Sequence, residues 1–284
     1  MPLSVIELLL ECESHLQGVD SPRLSAELLV AEVLGCSRLA LVLDRERLVT
    51  PEEAVLIRAY VLRRAAGEPI AYILGRKEFY GIDFSVTSDV LIPRPETEHI
   101  IEEVERCFKQ SSAFRFADLG TGSGILAVTI VKLFSQASGV AVDMSPAALA
   151  VAASNAKVHA VSERLDFIRA DFTQPIFNES EFDLIVSNPP YVTENEYEVA
   201  SHEVRDFEPV EALVSGVDGL DHIRAMLPHV FSALKPGGIF MIEIGCSQGE
   251  AIKKITSGEC SGFGDVTVIK DLAGHDRVVF LRKV

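Results

Sequence analysis

The sequence predicts an α/β fold: a seven-stranded, mainly parallel sheet with one antiparallel strand, preceded by a small all-helical N-terminal domain and a β-hairpin connector. Three observations predict it. Apolar residues recur at helical spacing through residues 1–75. After Arg115, short apolar runs alternate with helical patterns, as in chains that build a parallel sheet covered by helices. Only Lys270 to Asp276 separates the last two runs, too little for a crossover helix, so those strands pair antiparallel. The implied division is 1–75 helical, 76–95 hairpin and linker, and 96–284 the α/β domain. A chain of 284 residues that is 48% apolar has ample material for such a core.

In chain order, Leu3, Ile6, Leu9 and Leu10 mark a first helix. Ser21-Pro22 reads as a capping residue followed by proline at the first helical position, opening a second helix that Gly35 ends. Thr50-Pro51-Glu52-Glu53 has capping-box spacing and opens a third, running to Gly67. Residues Lys77 to Val86 alternate bulky and polar side chains around Gly81, the pattern of a hairpin. Ile92-Pro93-Arg94-Pro95-Glu96-Thr97 reads as a stiff connector, because two prolines one residue apart cannot continue a helix or a central strand. Ile100, Ile101, Val104 and Phe108 follow as an amphipathic helix. Strand runs are expected at 115–119, 139–142, 165–168, 182–186, 238–244, 266–269 and 277–281, and helices at 124–134, 146–156, 219–234 and 248–256.

Composition narrows the function classes. The longest uncharged stretches, such as Leu119 to Val131, stop at 13 residues, short of the ~18 that a membrane-spanning helix needs. The start, Met1-Pro2-Leu3-Ser4, has no basic segment, so no secretory signal is expected. Cysteines at 12, 36, 107, 246 and 260 lack CxxC spacing, which argues against a zinc cluster or a disulfide scaffold and for a reducing cytoplasm. No metal is expected. A net charge of −16 does not suit a grip on long stretches of nucleic acid; it suits small ligands or a positively charged partner, or serves solubility alone.

Asp118-Leu119-Gly120-Thr121-Gly122-Ser123-Gly124 lies where the first strand of the α/β region gives way to a helix. Glycines there let a ligand approach the backbone, and the helix N-terminus offers unpaired N–H groups. Ile125 stands where a dinucleotide fingerprint wants Gly or Ala. Val140-Ala141-Val142-Asp143 places a carboxylate at the end of the next strand, suited to both hydroxyls of a ribose. Ala170-Asp171-Phe172 ends the third strand with a polar group and an aromatic face suited to adenine, although Asp171 reads equally as a cap or turn residue and Phe172 as core. An adenosine ligand without pyrophosphate, such as S-adenosylmethionine, fits these features. On these features alone a nicotinamide dinucleotide stays open.

The fourth strand ends in Asn188-Pro189-Pro190-Tyr191. Prolines stiffen the backbone and strip it of N–H groups, leaving carbonyls as free acceptors. The Asn188 side-chain oxygen adds another acceptor, and Tyr191 a flat face. Together they suit a planar group bearing NH2, whose delocalised lone pair would be turned toward an electrophile by binding both hydrogens. A Pro-Pro turn closing a strand is the plainer alternative. The seven histidines show no metal-ligand spacing and read as ordinary. Arg94 reads either as part of a substrate entrance or as a surface salt bridge, and Glu243 as structural or as part of the site's rim.

With these residues in place the chain resembles the release-factor glutamine methyltransferases (the PrmC/HemK family), S-adenosylmethionine-dependent methyltransferases of Rossmann-like fold. The resemblance runs over nearly the whole length. It rests on Glu68-Pro69-Ile70-Ala71-Tyr72-Ile73-Leu74-Gly75, Glu78-Phe79-Tyr80-Gly81, Leu91-Ile92-Pro93-Arg94-Pro95-Glu96-Thr97-Glu98, the glycine loop, Ser187 to Tyr191, Glu203-Val204-Arg205-Asp206-Phe207-Glu208-Pro209 and Asp271-Leu272-Ala273-Gly274-His275-Asp276-Arg277-Val278. The Asn-Pro-Pro-Tyr tetrad by itself is shared with amino-methyltransferases of DNA and RNA, and methylation of an exocyclic nucleobase amine is the second reading.

The resemblance implies methyl transfer from S-adenosylmethionine to N5 of the glutamine in the Gly-Gly-Gln motif of bacterial class-I peptide chain release factors, leaving S-adenosylhomocysteine. It implies that Gly120, Thr121, Gly122, Ser123 and Gly124 hold the methionine end of the cofactor, Asp143 the ribose, and Asp171 and Phe172 the adenine, with Asn188 also at the cofactor. It implies that Asn188, Pro189, Pro190 and Tyr191 hold the substrate amide, with Asn188, Pro189 and Tyr191 carrying the catalysis. Phe172 departs from members that carry Trp there. The helical domain is expected to position the release factor, the acidic surface to attract it, and the protein to be a cytoplasmic monomer without stable nucleic-acid or membrane binding.

Overall fold

A computed structural model describes residues 3–258 and 262–284. Met1, Pro2 and Cys260, which entered the readings of the N-terminus and of the cysteines, lie outside the described residues. Helices α1 (Val5–His15), α2 (Pro22–Leu34), α3 (Arg38–Leu43), α4 (Pro51–Ala65) and α5 (Ile70–Leu74) come first, then strands β1 (Arg76–Phe79) and β2 (Ile82–Ser85) and helix α6 (Glu98–Cys107). The remainder runs β3 (Arg115–Leu119), α7 (Ile125–Leu133), β4 (Ser138–Asp143), α8 (Pro146–Val158), β5 (Leu165–Arg169), β6 (Phe182–Ser187), α9 (Glu194–Glu198), α10 (His202–Phe207), α11 (Asp221–Ala233), β7 (Leu234–Glu243), α12 (Gly249–Gly258), β8 (Phe263–Lys270) and β9 (Asp276–Lys283). The chain divides into two compact units, Met1–Arg76 with Ser201–Phe207, and Lys77–Ala200 with Glu208–Val284. Among the described residues no helix is long and apolar enough to cross a membrane.

The first unit is helical. Its core gathers Val5, Leu8 and Cys12 of α1, Leu29 and Val30 of α2, and Ile57 and Val61 of α4. Ser4 with Glu7 and Thr50 with Glu53 form capping boxes that satisfy the exposed N–H groups opening α1 and α4. Ser21 does not act as the sequence suggests. Its φ is +49°, and its side chain makes no capping hydrogen bond, so Pro22 alone shapes the start of α2. The short helices α3 and α5 were not anticipated. Arg64 of α4, 4% exposed, donates to Glu203 of α10 at 2.5 Å, which ties the returning segment into this unit.

The second unit is a seven-stranded sheet in the order β5-β4-β3-β6-β7-β9-β8. Strands β5 through β7 pair in parallel, and β9 runs antiparallel to both β7 and β8. The one antiparallel strand therefore sits inside the sheet rather than closing it. The short connection from β8 forces β9 alongside, and β8 takes the edge. Central strands are buried on both faces, which is why they read as continuous apolar runs. One face packs Phe116, Leu184 and Met241 against Ile100, Ile101 and Val104 of α6 and Ile130 of α7. The other packs Ala117, Ile185, Phe240 and Ile242 against Ile223 and Leu227 of α11 and Ile252 of α12. Phe108, expected within α6, lies just past its end. Ala170, Asp171 and Phe172, expected to end a strand, lie just beyond β5.

From β3 the chain moves outward through β4 and β5, then returns to β6 on the other side of β3. Loops leaving β3 and β6 thus diverge, and a crevice opens at the carboxyl ends of these strands, where open α/β sheets bind ligands.

Candidate active site

That crevice holds a cleft of about 520 Å³, within the ~300–1,000 Å³ range of small-molecule sites. Its lining includes Gly120, Thr121, Gly122 and Ser123 after β3, Asp143 at the end of β4, Phe172 after β5, and Asn188 and Pro190 after β6. Gly124, Asp171, Pro189 and Tyr191, also singled out from the sequence, are outside this lining.

The loop after β3 needs its glycines. Gly120 and Gly124 have φ of +73° and +83°, and a Cβ at Gly124 would meet the Ala152 Cβ of α8 at 3.1 Å. The N–H groups of Gly120 and Thr121 both donate to the Val142 carbonyl at 2.9 Å, which pins the turn beside β4. Asp143 is oriented in advance: Oδ2 accepts the Gly122 N–H and Oδ1 the Ser145 N–H, each at 2.9 Å. One further lone pair on each oxygen stays available for a hydroxyl.

Asp118 lies beneath the loop and lines the cleft. Its Oδ2 accepts from the Thr121 hydroxyl at 2.7 Å and the Ala127 N–H at 3.2 Å, while Oδ1 is buried without a partner among the described residues. Burial pushes its carboxyl up to about 7, against the pull of those two donors. Between the ordinary 3.8 and about 7, the folded chain holds a proton that the unfolded chain has released. Stability of the ligand-free protein should therefore fall as pH rises across that window, by at most ~1.4 kcal/mol per pH unit from this one group. Asp118→Asn is expected to remove that descent, as read from urea unfolding at several pH values. An unchanged slope would show that Asp118 ionises at its ordinary value.

Phe172 forms an apolar wall, with its ring 5.9 Å from that of His222. The sequence reading passed over His222 as ordinary; the structure puts it in the lining. Ser215 Oγ accepts the His222 backbone N–H at 3.0 Å and lies 2.7 Å from Nδ1. Burial lowers the imidazole's pKa and favours its neutral form. Asp171 instead accepts from the Thr173 N–H and hydroxyl, which is the turn role. Arg94 lines the cleft and donates to Glu208 at 2.5 Å. The Glu208 side chain is 2% exposed, so this is a buried pairing and not a surface bridge.

At the tetrad, no backbone N–H donates to the carbonyls of Asn188, Pro189 or Pro190 among the described residues. The Tyr191 carbonyl is already taken by Gln248 Nε2 at 2.9 Å. Asn188 Nδ2 donates to Thr97 Oγ1 at 3.0 Å, and Asn188 Oδ1 is buried without a partner among the described residues. Tyr191 Oη donates to Glu243 Oε1 at 3.0 Å. Burial and the Glu243 charge push the Tyr191 phenol above its usual range, so it keeps its proton. Thr97 and Glu243 are fully buried, and the sequence reading gave Thr97 no role.

Two orphaned buried oxygens, on Asp118 and Asn188, test what the cleft can take. Asp118 Oδ1 suits a cationic group, Asp143 suits vicinal hydroxyls, Phe172 suits a flat ring, and Asn188 Oδ1 suits an N–H donor. S-adenosylmethionine, with its ammonium, ribose and adenine, matches the first three.

Comparison with known proteins agrees on the chemistry. Residues 7–75 match the family described as PrmC N-terminal domain, and residues 110–270 match one described as Methyltransferase domain. The chain is 46% identical to the release factor glutamine methyltransferase of Nitratidesulfovibrio vulgaris, covering 93% of this chain and 90% of that one. It is 42% identical to that of Koribacter versatilis, covering 95% of each. Among solved structures, the catalytic domain of hMettl16 in complex with MAT2A 3′UTR hairpin 6 superposes with a TM-score of 0.56 at 16% identity, over 84% of each chain. A methyltransferase from Pyrococcus furiosus gives 0.52 at 19%, over 80% of this chain and 97% of the other. At such identities the structural likeness speaks for the fold alone.

Proposed function

The chain belongs to the release factor glutamine methyltransferase family, and from that premise we propose that it methylates N5 of the glutamine in the Gly-Gly-Gln motif of a bacterial peptide chain release factor. S-adenosylmethionine supplies, when bound, a methyl group made electrophilic by its sulfonium sulfur. The observation that carries the acceptor reading is the orphaned Asn188 Oδ1 beside the free carbonyls of the two prolines.

Asn188 Oδ1 and the Pro189 carbonyl accept the two N–H bonds of the glutamine amide. Tyr191, held by Glu243, bounds the amide's plane. Holding both hydrogens points the nitrogen lone pair along one direction, and such alignment of bound reactants lowers a barrier by roughly 7–11 kcal/mol. Once alkylated, the nitrogen sheds a proton to solvent without a strong base. Gly120 to Gly124 and Asp118 hold the methionine end, Asp143 the ribose, and Phe172 the adenine, with Asp171 bracing the turn that carries Phe172.

The direct test incubates the protein with S-adenosylmethionine and a release factor and weighs the Gly-Gly-Gln peptide. A gain of one methyl group on glutamine is expected. A methyl group found instead on a nucleobase, with none on the peptide, would replace this reading.

The helical unit recognises the release factor, and the −16 charge speeds the encounter with a basic partner in the cytoplasm. The enzyme acts as a monomer. Raising salt from about 50 to about 200 mM should accordingly raise KM for the release factor several-fold with little change in kcat, because screening shortens the reach of surface charge. A KM independent of salt would remove the electrostatic part of this account.

A further inference from the structure

We propose that Asn155 is a positioning residue for the cofactor: its buried side-chain amide pins the end of the glycine loop and ties it to the hairpin strand that leads into the connector. The inference rests on S-adenosylmethionine as the cofactor and not on the identity of the acceptor.

Ala148, Ala152 and Asn155 of α8 and His159 just past its end recur at helical spacing, so they share one face. That face runs along the site. Ala148 lines the cleft, and Ala152 lies directly under Gly124. Asn155, 1% exposed, comes next. Asparagine is a poor helix former, because its side chain competes for backbone groups, and its amide is costly to bury unless it is hydrogen-bonded.

Here it is fully engaged. Oδ1 accepts the Ser85 N–H at 2.8 Å. Nδ2 donates to the Ser85 carbonyl at 3.0 Å and to the Ser123 carbonyl at 2.8 Å. The amide can face only one way, since turning it over would set NH2 against an N–H and oxygen against two carbonyls. The two bonds to Ser85 imitate strand pairing for β2, whose one strand partner among the described residues is β1. The third bond reaches a different element, the loop after β3.

That third bond completes the loop's anchoring. The N–H groups of Gly120, Thr121 and Gly122 are held from β4, by the Val142 carbonyl and the Asp143 carboxylate. Among the described residues no backbone N–H reaches the Ser123 carbonyl, and Asn155 alone holds it. Ser88, soon after Ser85, begins the connector's share of the cleft lining, so one side chain fixes two parts of the lining relative to each other. A site that is competent only part of the time binds more weakly by the inverse of the competent fraction. Losing the pin lowers that fraction while every side chain of the cleft lining stays in place.

His159 supplies the control. Its Nε2 lies 2.8 Å from the Asp83 carbonyl and its ring 5.3 Å from that of Phe84, so it grips the same hairpin without reaching the loop. A purely structural role, docking the hairpin, predicts like effects from both residues.

Asn155→Asp keeps the volume and the acceptor for Ser85 but cannot donate to both carbonyls. Calorimetry should show Kd for S-adenosylmethionine and S-adenosylhomocysteine raised at least about tenfold, the scale of one buried acceptor left unmatched. Turnover at saturating cofactor should stay within about threefold, because saturation restores the competent loop. In the ligand-free variant the Gly122 and Gly124 amides should exchange hydrogen faster by a similar factor, and saturating S-adenosylhomocysteine should erase the difference. His159→Ala should lower the melting temperature with both Kd values within about twofold of wild type. In ligand-free wild type, the Gly120, Thr121 and Gly122 amides should exchange at least about 100-fold slower than unprotected ones. Smaller protection than that, a Kd rise below tenfold in Asn155→Asp, or equal weakening of binding in His159→Ala overturns the proposal. The wild-type exchange rates and His159→Ala decide it even where Asn155→Asp folds poorly. A protein that passes these binding tests yet leaves the release factor unmethylated would overturn the glutamine reading alone.

Discussion

Asn188→Ala is expected to lower kcat by about 10³-fold, the upper range for losing one preorganised polar partner of a reacting group, while the cofactor dissociation constant moves by less than about tenfold. The asymmetry follows from the site's layout. Asn188 directly follows β6, where the cleft meets the tetrad. Its orphaned oxygen is the one side-chain acceptor the tetrad offers to an N–H donor. Removing it leaves the glutamine amide held by carbonyl oxygen alone, free to rotate about that bond, and the lone pair loses its direction. The glycine loop, Asp143 and Phe172, which we propose hold the cofactor, are untouched. Asn188→Asp keeps the shape but changes the polarity: its carboxylate can no longer donate to Thr97 and carries a charge near buried Glu243. It should therefore be almost as inactive, which would separate a polarity requirement from a volume requirement. Single-turnover rates at saturating cofactor, with calorimetry for binding, decide the matter. A kcat within tenfold of wild type in Asn188→Ala would remove the side chain from the chemistry.

What could be read in advance and what could not divides along physical lines. The central strands were legible because burial on both faces writes them as short apolar runs, as in Val140-Ala141-Val142 of β4. Their order was not, because which strand lies beside β3 depends on pairings between distant segments. The placement of β9 between β7 and β8 is such a case. Helices α3, α5, α9 and α10 have five or six residues each, fewer than two turns, so no helical period can declare them. Ser21 shows residue type misleading: serine before proline invites a cap, yet the backbone there is left-handed and the hydroxyl faces elsewhere.

The candidate site divides the same way. Gly120 to Gly124 and Asn188 to Tyr191 are contiguous, and each run has constraints of backbone chemistry that show in the letters. Thr97, His222 and Glu243 are single residues brought in from three other parts of the chain: Thr97 was read only as part of the proline-rich connector, His222 as ordinary, and Glu243 as either structural or part of the rim. Asp118 had a usable sign, an ionisable residue one place from the end of a strand otherwise wholly apolar in its interior, directly before the glycine loop. Such an acid is costly to bury unless a ligand or a proton compensates it, and that alone could have singled it out. Asp171 was legible only as a choice between two roles, and its hydrogen bonds to Thr173 favour the turn.

Asp143→Ala should have the complementary effect to the loss of Asn188: cofactor affinity weakened by about 100-fold, with kcat at saturation largely retained. Each charge-assisted hydrogen bond contributes roughly 1.5–3 kcal/mol, and two to a ribose would exceed a 100-fold effect if water replaced neither. Alanine opens space for water at an edge that is only half-buried, so part of the loss is recovered. The preorganisation is lost outright. In the intact protein the Gly122 and Ser145 N–H groups hold the carboxylate in place before any ligand arrives, so binding does not have to order it. Without it the Gly122 N–H lacks its partner and the glycine loop loses one of its anchors to β4. Asp143→Asn discriminates between the two contributions. Its amide oxygen can keep one backbone N–H, but its NH2 meets the other donor head-on and cannot accept a hydroxyl, so it should weaken binding nearly as much as alanine does. Calorimetric titration with S-adenosylmethionine and S-adenosylhomocysteine measures both. Equal weakening of the two ligands is expected, since both carry the ribose and differ only at the methyl. A change below threefold for either ligand in Asp143→Ala would mean that the ribose is held elsewhere. The carboxylate would then serve only to brace the loop.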